Sequence, residues 1–198
     1  GLERGMGVGV EMFCMGVSAS ETHSKKNTGM TTDEALTRII AMAKSALSAG
    51  KKVQVSVQSA FGCGFEGVIP KERVIGIIGK YIENGIENIS LADTAGHAYP
   101  VQVEEMISAI FEMNPNVNIA CHFHDTYGLG IANCYSAYKQ GVKYFESAFA
   151  GLGGCPFTAK ASGNVCTEDL VNMFNRLGIR EDINIDTLVA IGREAEKF

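Results

Sequence analysis

The chain has 198 residues, 46 % of them hydrophobic and 20 % charged, which is the make-up of an ordinary folded domain and excludes disorder as its main state. Its net charge of −5 argues against nucleic acid or an anionic membrane as the main partner, and no apolar run nears the ~20 residues that a bilayer crossing needs. Six cysteines, at 14, 63, 121, 134, 155 and 166, include no CxxC pair, so reduced thiols in a cytoplasmic setting are expected rather than a disulfide scaffold.

Strand and helix patterns alternate along the chain. Val10 to Ser18 is an apolar run of strand length, followed by a polar loop, Ser20 to Asn27. Thr32 starts a helix with Asp33 and Glu34 in its first turn, an apolar stripe through Leu36, Ile39, Ile40, Ala43 and Leu47, and Gly50 at its end. Val53, Val55 and Val57 begin the second strand, and Pro70 opens the helix that Gly85 stops. Ile86 to Ala92 is the third strand, and Pro100 opens the next helix. Val117 to Cys121 and Val142 to Ala148 are the fourth and fifth strands, with a helix from Gly130 to Gln140 between them. Two helices close the pattern, Asn164 to Leu177 and Asp186 to Lys197. The expected fold class is α/β with a parallel sheet, as one domain over residues 1–198, and periodicity alone leaves an open doubly wound sheet and a closed barrel equally open. Neither GxGxxG after the first strand nor GxxxxGK[ST] occurs, so the nucleotide-binding fingerprints are missing.

Polar residues gather at the carboxyl ends of the strands, where an α/β fold builds its site: Glu21, Ser59, Asp93, His122, His124, Asp125 and Cys155. In His122-Phe123-His124, residues i and i+2 of an extended strand face the same side, so both imidazoles enter one cavity. They are candidate ligands of a divalent metal, with Asp125 orienting one of them, or else a hydrogen-bonded pair in a polar pocket. Cys155 ends the run Gly151-Leu152-Gly153-Gly154, and reads either as a thiol on a moving loop or as a small packed residue. Asn164 reads as a helix N-cap with Glu168 in the first turn, and Ser59, Ser90 and Asp93 are expected to face a substrate. His23 and His97 are expected to be solvated loop residues, and Lys25-Lys26 a wet surface with at most a weak part near an anionic tail.

Together these stretches resemble the 3-hydroxy-3-methylglutaryl-CoA lyase family, among the DRE-type metal-dependent TIM-barrel lyases. The resemblance rests on Ser18-Ala19-Ser20-Glu21 with Lys26-Asn27, Ser59 to Cys63 with Phe65-Glu66-Gly67, Ile89 to Thr94, His122 to Gly128, and Ala150 to Phe157 continued by Ala161-Ser162-Gly163-Asn164. The Ala-Gly-Leu-Gly-Gly-Cys-Pro-Phe run is the most specific. Condensing relatives such as isopropylmalate synthase share HxH but usually continue with Asn-Asp and lack the Gly-Gly-Cys-Pro loop.

The resemblance implies an incomplete (β/α)8 TIM barrel holding Mg²⁺ or Mn²⁺ through His122, His124 and Asn164. It implies Cys155 as the loop thiol in proton transfer, Glu168 as a helper behind the ligands, and His122 as a further proton-transfer group. The implied reaction is retro-Claisen cleavage of the acyl-CoA thioester 3-hydroxy-3-methylglutaryl-CoA to acetyl-CoA and acetoacetate. A related lyase or aldolase on another 3-hydroxy acyl-CoA, or an inert fragment needing a partner, are the alternatives. Departures accompany it. The family's first-strand Asp-Gly-Leu-Arg or Asp-Gly-Leu-Gln, source of a metal-binding Asp and an enolate-stabilising Arg, is absent, and Phe123 stands where many lyases carry Cys. Five βα units are present where the barrel has eight and ~250 residues. The first three units are therefore expected to be missing, with a complementing N-terminal segment or a homo-oligomer as partner. A mitochondrial setting follows if a transit segment was lost with them.

Overall fold

A computed structural model describes residues 1–156, 163–195 and 197. Five strands alternate with helices: β1 Met12–Ser18, β2 Lys52–Gln58, β3 Asn88–Asp93, β4 Asn118–Phe123 and β5 Tyr144–Glu146. The helices are α1 Leu2–Gly7, α2 Glu21–Thr28, α3 Thr32–Ser48, α4 Lys71–Glu83, α5 Pro100–Met113, α6 Gly130–Lys139, α7 Thr167–Arg176 and α8 Ile185–Ala195. A tight turn, Phe149–Gly151, follows β5.

The expected polar loop after β1 is instead helix α2. Ser20 caps it by accepting from the His23 N–H at 3.1 Å, and left-handed Gly29 ends it. Its stripe is polar, with His23 and Ser24 buried, so no apolar period marked it. Helix α3 opens on a capping box. The Thr31 hydroxyl accepts from Glu34 N–H, and the Glu34 carboxylate accepts from Thr31 N–H.

All strand pairs are parallel, in the spatial order β1-β2-β3-β4-β5. A doubly wound sheet reverses its order at a switch point; here it never does. Right-handed crossovers between successive neighbours put every connecting helix on one face, so the sheet is an arc of a barrel with the other face concave. Val53, Val55, Val57, Ile89, Leu91, Ile119, Cys121 and Phe123 point to the helices and form the core with Leu36, Ile78, Met106 and Ile110. The concave face is small and polar. One register line across it reads Gly16, Ser56, Ser90, Ala120, Tyr144, and Gly16 has no room for a side chain, because a Cβ there would meet the Ser56 hydroxyl. The apolar core lies between sheet and helices. Strands β1 and β5 are the two edges of this sheet. Among the described residues no helix is long and apolar enough to cross a membrane.

Candidate functional site

At the carboxyl ends of the strands the concave face opens into a cleft of about 330 Å³. Ser56, Ser90 and Ala92 form its floor, His122, His124 and Glu146 one wall, and His23, Asn27, Cys155 and Asn164 the others. His122 lies in β4, and His124 extends the strand by an antiparallel bridge to Asn164. Flanking bonds, Asp125 N–H to Gly163 C=O and Val165 N–H to Phe123 C=O, both 3.1 Å, keep this segment extended. Both imidazoles consequently face the cleft, while Phe123 between them is fully buried on the helix side, 5.7 Å from the Phe61 ring.

The two Nε2 atoms stand 3.3 Å apart. His122 Nδ1 is 3.1 Å from a Glu146 carboxylate oxygen, and this close approach holds Glu146 below the usual carboxylate range. A proton on Nδ1, beside the Glu146 carboxylate, would leave Nε2 as the lone-pair nitrogen of His122. Burial first, then the neighbouring His122, push His124 down to about 4, so it is neutral at pH 7.

A divalent ion fits this arrangement. Two nitrogen ligands at right angles on ~2.1 Å bonds lie about 3 Å apart. Asn164 adds a buried Oδ1 with no partner among the described residues, while its Nδ2 donates to Leu152 C=O at 2.7 Å. Gly153 makes room for that amide, since a Cβ there would sit 2.9 Å from Nδ2. The expected N-cap role of Asn164 is overturned, because Cys166 occupies that position and α7 starts at Thr167. Among the described residues no group of three His, Cys, Asp or Glu side chains is arranged to hold a metal ion, and the Asn164 amide oxygen is the further donor available beside the two imidazoles.

Cys155 is half-buried on the opposite wall, its Sγ 3.4 Å from His23 Nε2. His23, expected to be solvated, is 1 % exposed, because α2 turns it inward. None of the six cysteines is in a disulfide. His97 is likewise no solvated residue; it packs against the Tyr127 ring at 5.5 Å. Lys25 pairs with Glu21 at the surface, and Lys26 lies over the Phe65 ring.

Several expected site residues serve the scaffold instead. Asp125 accepts from Gly130 N–H at 2.7 Å, fastening the start of α6 rather than orienting a histidine. Glu168 accepts from Ala150 N–H and from the Cys166 thiol, and so pins the turn after β5; Gly192 of α8 lies so close that a Cβ would overlap its carboxylate. Of the expected substrate-facing residues only Ser90 borders the cleft. Ser59, with φ 55°, bonds to Ser18 and Thr94, while Asp93 accepts from the His97 and Ala98 N–H groups beneath the next loop. Each is one residue off the inward-facing series, and a one-residue step reverses the side. Within the loop stretch named above, Phe157, Ala161 and Ser162 lie outside the described residues.

Burial raises Asp93 to about 7 against the pull of its N–H donors. A carboxylate with a raised folded pKa costs nothing below its unfolded value of 3.8, weakens the fold progressively as pH rises from there to about 7, and adds no further loss above. Melting temperature should therefore fall between pH 5 and pH 8 more steeply for the native chain than for Asp93→Asn. Parallel curves would refute a raised Asp93.

Sequence reasoning missed Glu146 and His23. A lone acid in an otherwise apolar strand run, and a histidine three residues after a capping serine, were the available signals.

Comparison with known proteins gives the family. The HMGL-like profile matches residues 2–194. The chain belongs to the HMGL-like family. Hydroxymethylglutaryl-CoA lyase YngG of Bacillus subtilis is 36 % identical over 197 residues, which are 100 % of this chain and 66 % of the relative. (R)-Citramalyl-CoA lyase of Chloroflexus aurantiacus is 35 % identical over 190 residues, 96 % of this chain and 60 % of the relative. Among solved structures, an HMG-CoA lyase from Acinetobacter baumannii in complex with coenzyme A and 3-methylmalate superposes with a TM-score of 0.90 at 39 % identity, covering 98 % of this chain and 63 % of that one. The five-stranded sheet thus matches part of the barrel of that HMG-CoA lyase structure. The chain spans 59–66 % of the length of the first curated relatives it matches. These shares measure how much is matched, and lend no support to the expectation that the absent units are the first three.

Proposed function

We propose that this chain is the cleft-bearing part of a divalent-metal-dependent carbon–carbon lyase that cleaves 3-hydroxy-3-methylglutaryl-CoA to acetyl-CoA and acetoacetate. The observation that carries the reading is the pair of cleft-facing Nε2 atoms 3.3 Å apart beside the Asn164 Oδ1, which has no partner among the described residues. His122, His124 and Asn164 would hold Mg²⁺ or Mn²⁺, which supplies a Lewis acid that lowers the pKa of a bound tertiary alcohol. Glu146 fixes the His122 ring through Nδ1 and, ionised, can share the proton that the alcohol gives up. As the C2–C3 bond breaks, the acetyl-CoA carbon needs a proton, and the Cys155 thiol on the opposite wall can supply it. One proton leaves oxygen and one joins carbon, so the cleavage is proton-neutral. The identity with a citramalyl-CoA lyase favours one second reading, cleavage of another 3-hydroxy acyl thioester by the same groups. An acyl-CoA substrate, a complementing barrel segment or a second copy as partner, and a catalytic role for the whole of residues 1–198 belong to the same proposal.

The metal-holding part is tested on the chain itself by titration with Mn²⁺, following the free ion by electron paramagnetic resonance. One site per chain is expected, weakened at least about tenfold by His124→Ala, since even residues that only orient ligands carry that much affinity. Equal Mn²⁺ uptake by native chain and variant would sink the assignment.

A further inference from the structure

Outside the histidine pair, the cleft holds a second juxtaposition of reactive groups. His23 projects from α2 and meets Cys155 across 132 positions of sequence, Nε2 to Sγ at 3.4 Å. The imidazole is 1 % exposed, and its other nitrogen, Nδ1, is buried without a partner among the described residues. Its placement is built by the local fold. The Ser20 hydroxyl accepts from the backbone N–H of His23 and also receives the Cys63 thiol at 3.0 Å, so the first turn of α2 is anchored on both sides.

We propose that His23 is the positioning residue of Cys155: Nε2 accepts the thiol hydrogen bond, fixes Sγ on the cleft wall, and exchanges the thiol proton. The inference rests on the reading of Cys155 as proton donor given above. In the exchange the S–H bond breaks as Nε2–H forms, giving thiolate beside imidazolium. Atoms and charge balance within the pair, and no oxidant or other reactant is involved. Burial keeps His23 below the ordinary imidazole range, so the resting pair is thiol and neutral imidazole, with the Nε2 lone pair facing Sγ. Glu66 is the charged group that opposes this, and its carboxylate is fastened to the Thr22 N–H at the start of α2. Cys63 faces the same turn, Glu21 is tied to Thr32, and His122, His124 and Glu146 line the cleft opposite.

Alkylation by iodoacetamide, read at the Cys155 peptide by mass spectrometry across pH 5.5–9.5, tests the pair without requiring turnover. The native chain should react at pH 6–7 about tenfold faster than His23→Phe, because the thiolate is the nucleophile and only the native pair can pass the thiol proton to Nε2 as the sulfur attacks. His23→Gln keeps a hydrogen-bonding side chain that cannot take a proton, and should follow the Phe variant. Superimposable profiles for native chain and variants would overturn the proposal. So would a single limb in the ordinary thiol range for the native chain alone, which needs no variant to fold. A chain that showed this limb but never cleaved an acyl-CoA would leave His23 as the partner of Cys155 while removing the lyase reading.

Discussion

Incubated alone with Mg²⁺ or Mn²⁺, the chain is expected to release no measurable acetoacetate from 3-hydroxy-3-methylglutaryl-CoA. The arc β1–β5 leaves the cleft open between its two edge strands, so water reaches the space where charge must develop. Among the described residues the cleft lining also holds no cation: it consists of His, Asn, Ser, Gln, Thr, Ala, Gly, Cys and Glu side chains, with neither Lys nor Arg. The Asp-Gly-Leu-Arg or Asp-Gly-Leu-Gln sequence that the resemblance leads one to expect occurs nowhere in the chain. Losing one preorganised donor to a developing oxyanion costs ~10²–10³ in rate, and the described lining supplies neither a cation nor an enclosure. A coupled assay for acetoacetate checks this directly. Turnover should return when a segment supplying the remaining βα units is mixed in, and robust turnover by the 198-residue chain alone would refute the expectation.

The second large effect is on folding. Phe123 is fully buried between the two cleft histidines in sequence, yet packs on the opposite side of the sheet against Phe61. Truncating a buried aromatic to Ala typically costs ~3–5 kcal/mol, a large part of a domain's whole stability. Phe123→Ala should therefore unfold at much lower urea concentration, while His122→Ala, on a partly solvated wall, shifts the midpoint far less. Equal shifts for the two variants would contradict the assignment of Phe123 to the core and His122 to the cleft.

Much of this was legible before any coordinates. The alternation of Val53, Val55 and Val57 with polar residues gave both the strand and its two faces, and the i, i+2 spacing of His122 and His124 put their rings together. Helix α2 was hidden because its buried side is His23 and Ser24 rather than an apolar stripe. The partners of polar groups were hidden for a different reason. Whether Asp93 faces a ligand or receives the N–H groups of its own loop depends on a side-chain direction that composition does not carry. Nor could spacing show that Asp125 fastens a helix while Glu146, in the next strand, is the acid that reaches His122.

The registers across the sheet have a simple numerical consequence. Gly16 stands opposite Ser56, Ser56 opposite Ser90, Ser90 opposite Ala120 and Ala120 opposite Tyr144, so each pairing joins two even numbers. Because side chains alternate, every even-numbered strand residue belongs to the cleft side and every odd-numbered one to the helix side. Parity then sorts mutational damage. Odd-numbered strand substitutions should reduce how much folded protein accumulates, with the chemistry of surviving molecules intact. Even-numbered ones that line the cleft, such as Ser56, Ser90 and His122, should leave yield nearly alone and alter what it can bind, with crowded Gly16 the exception.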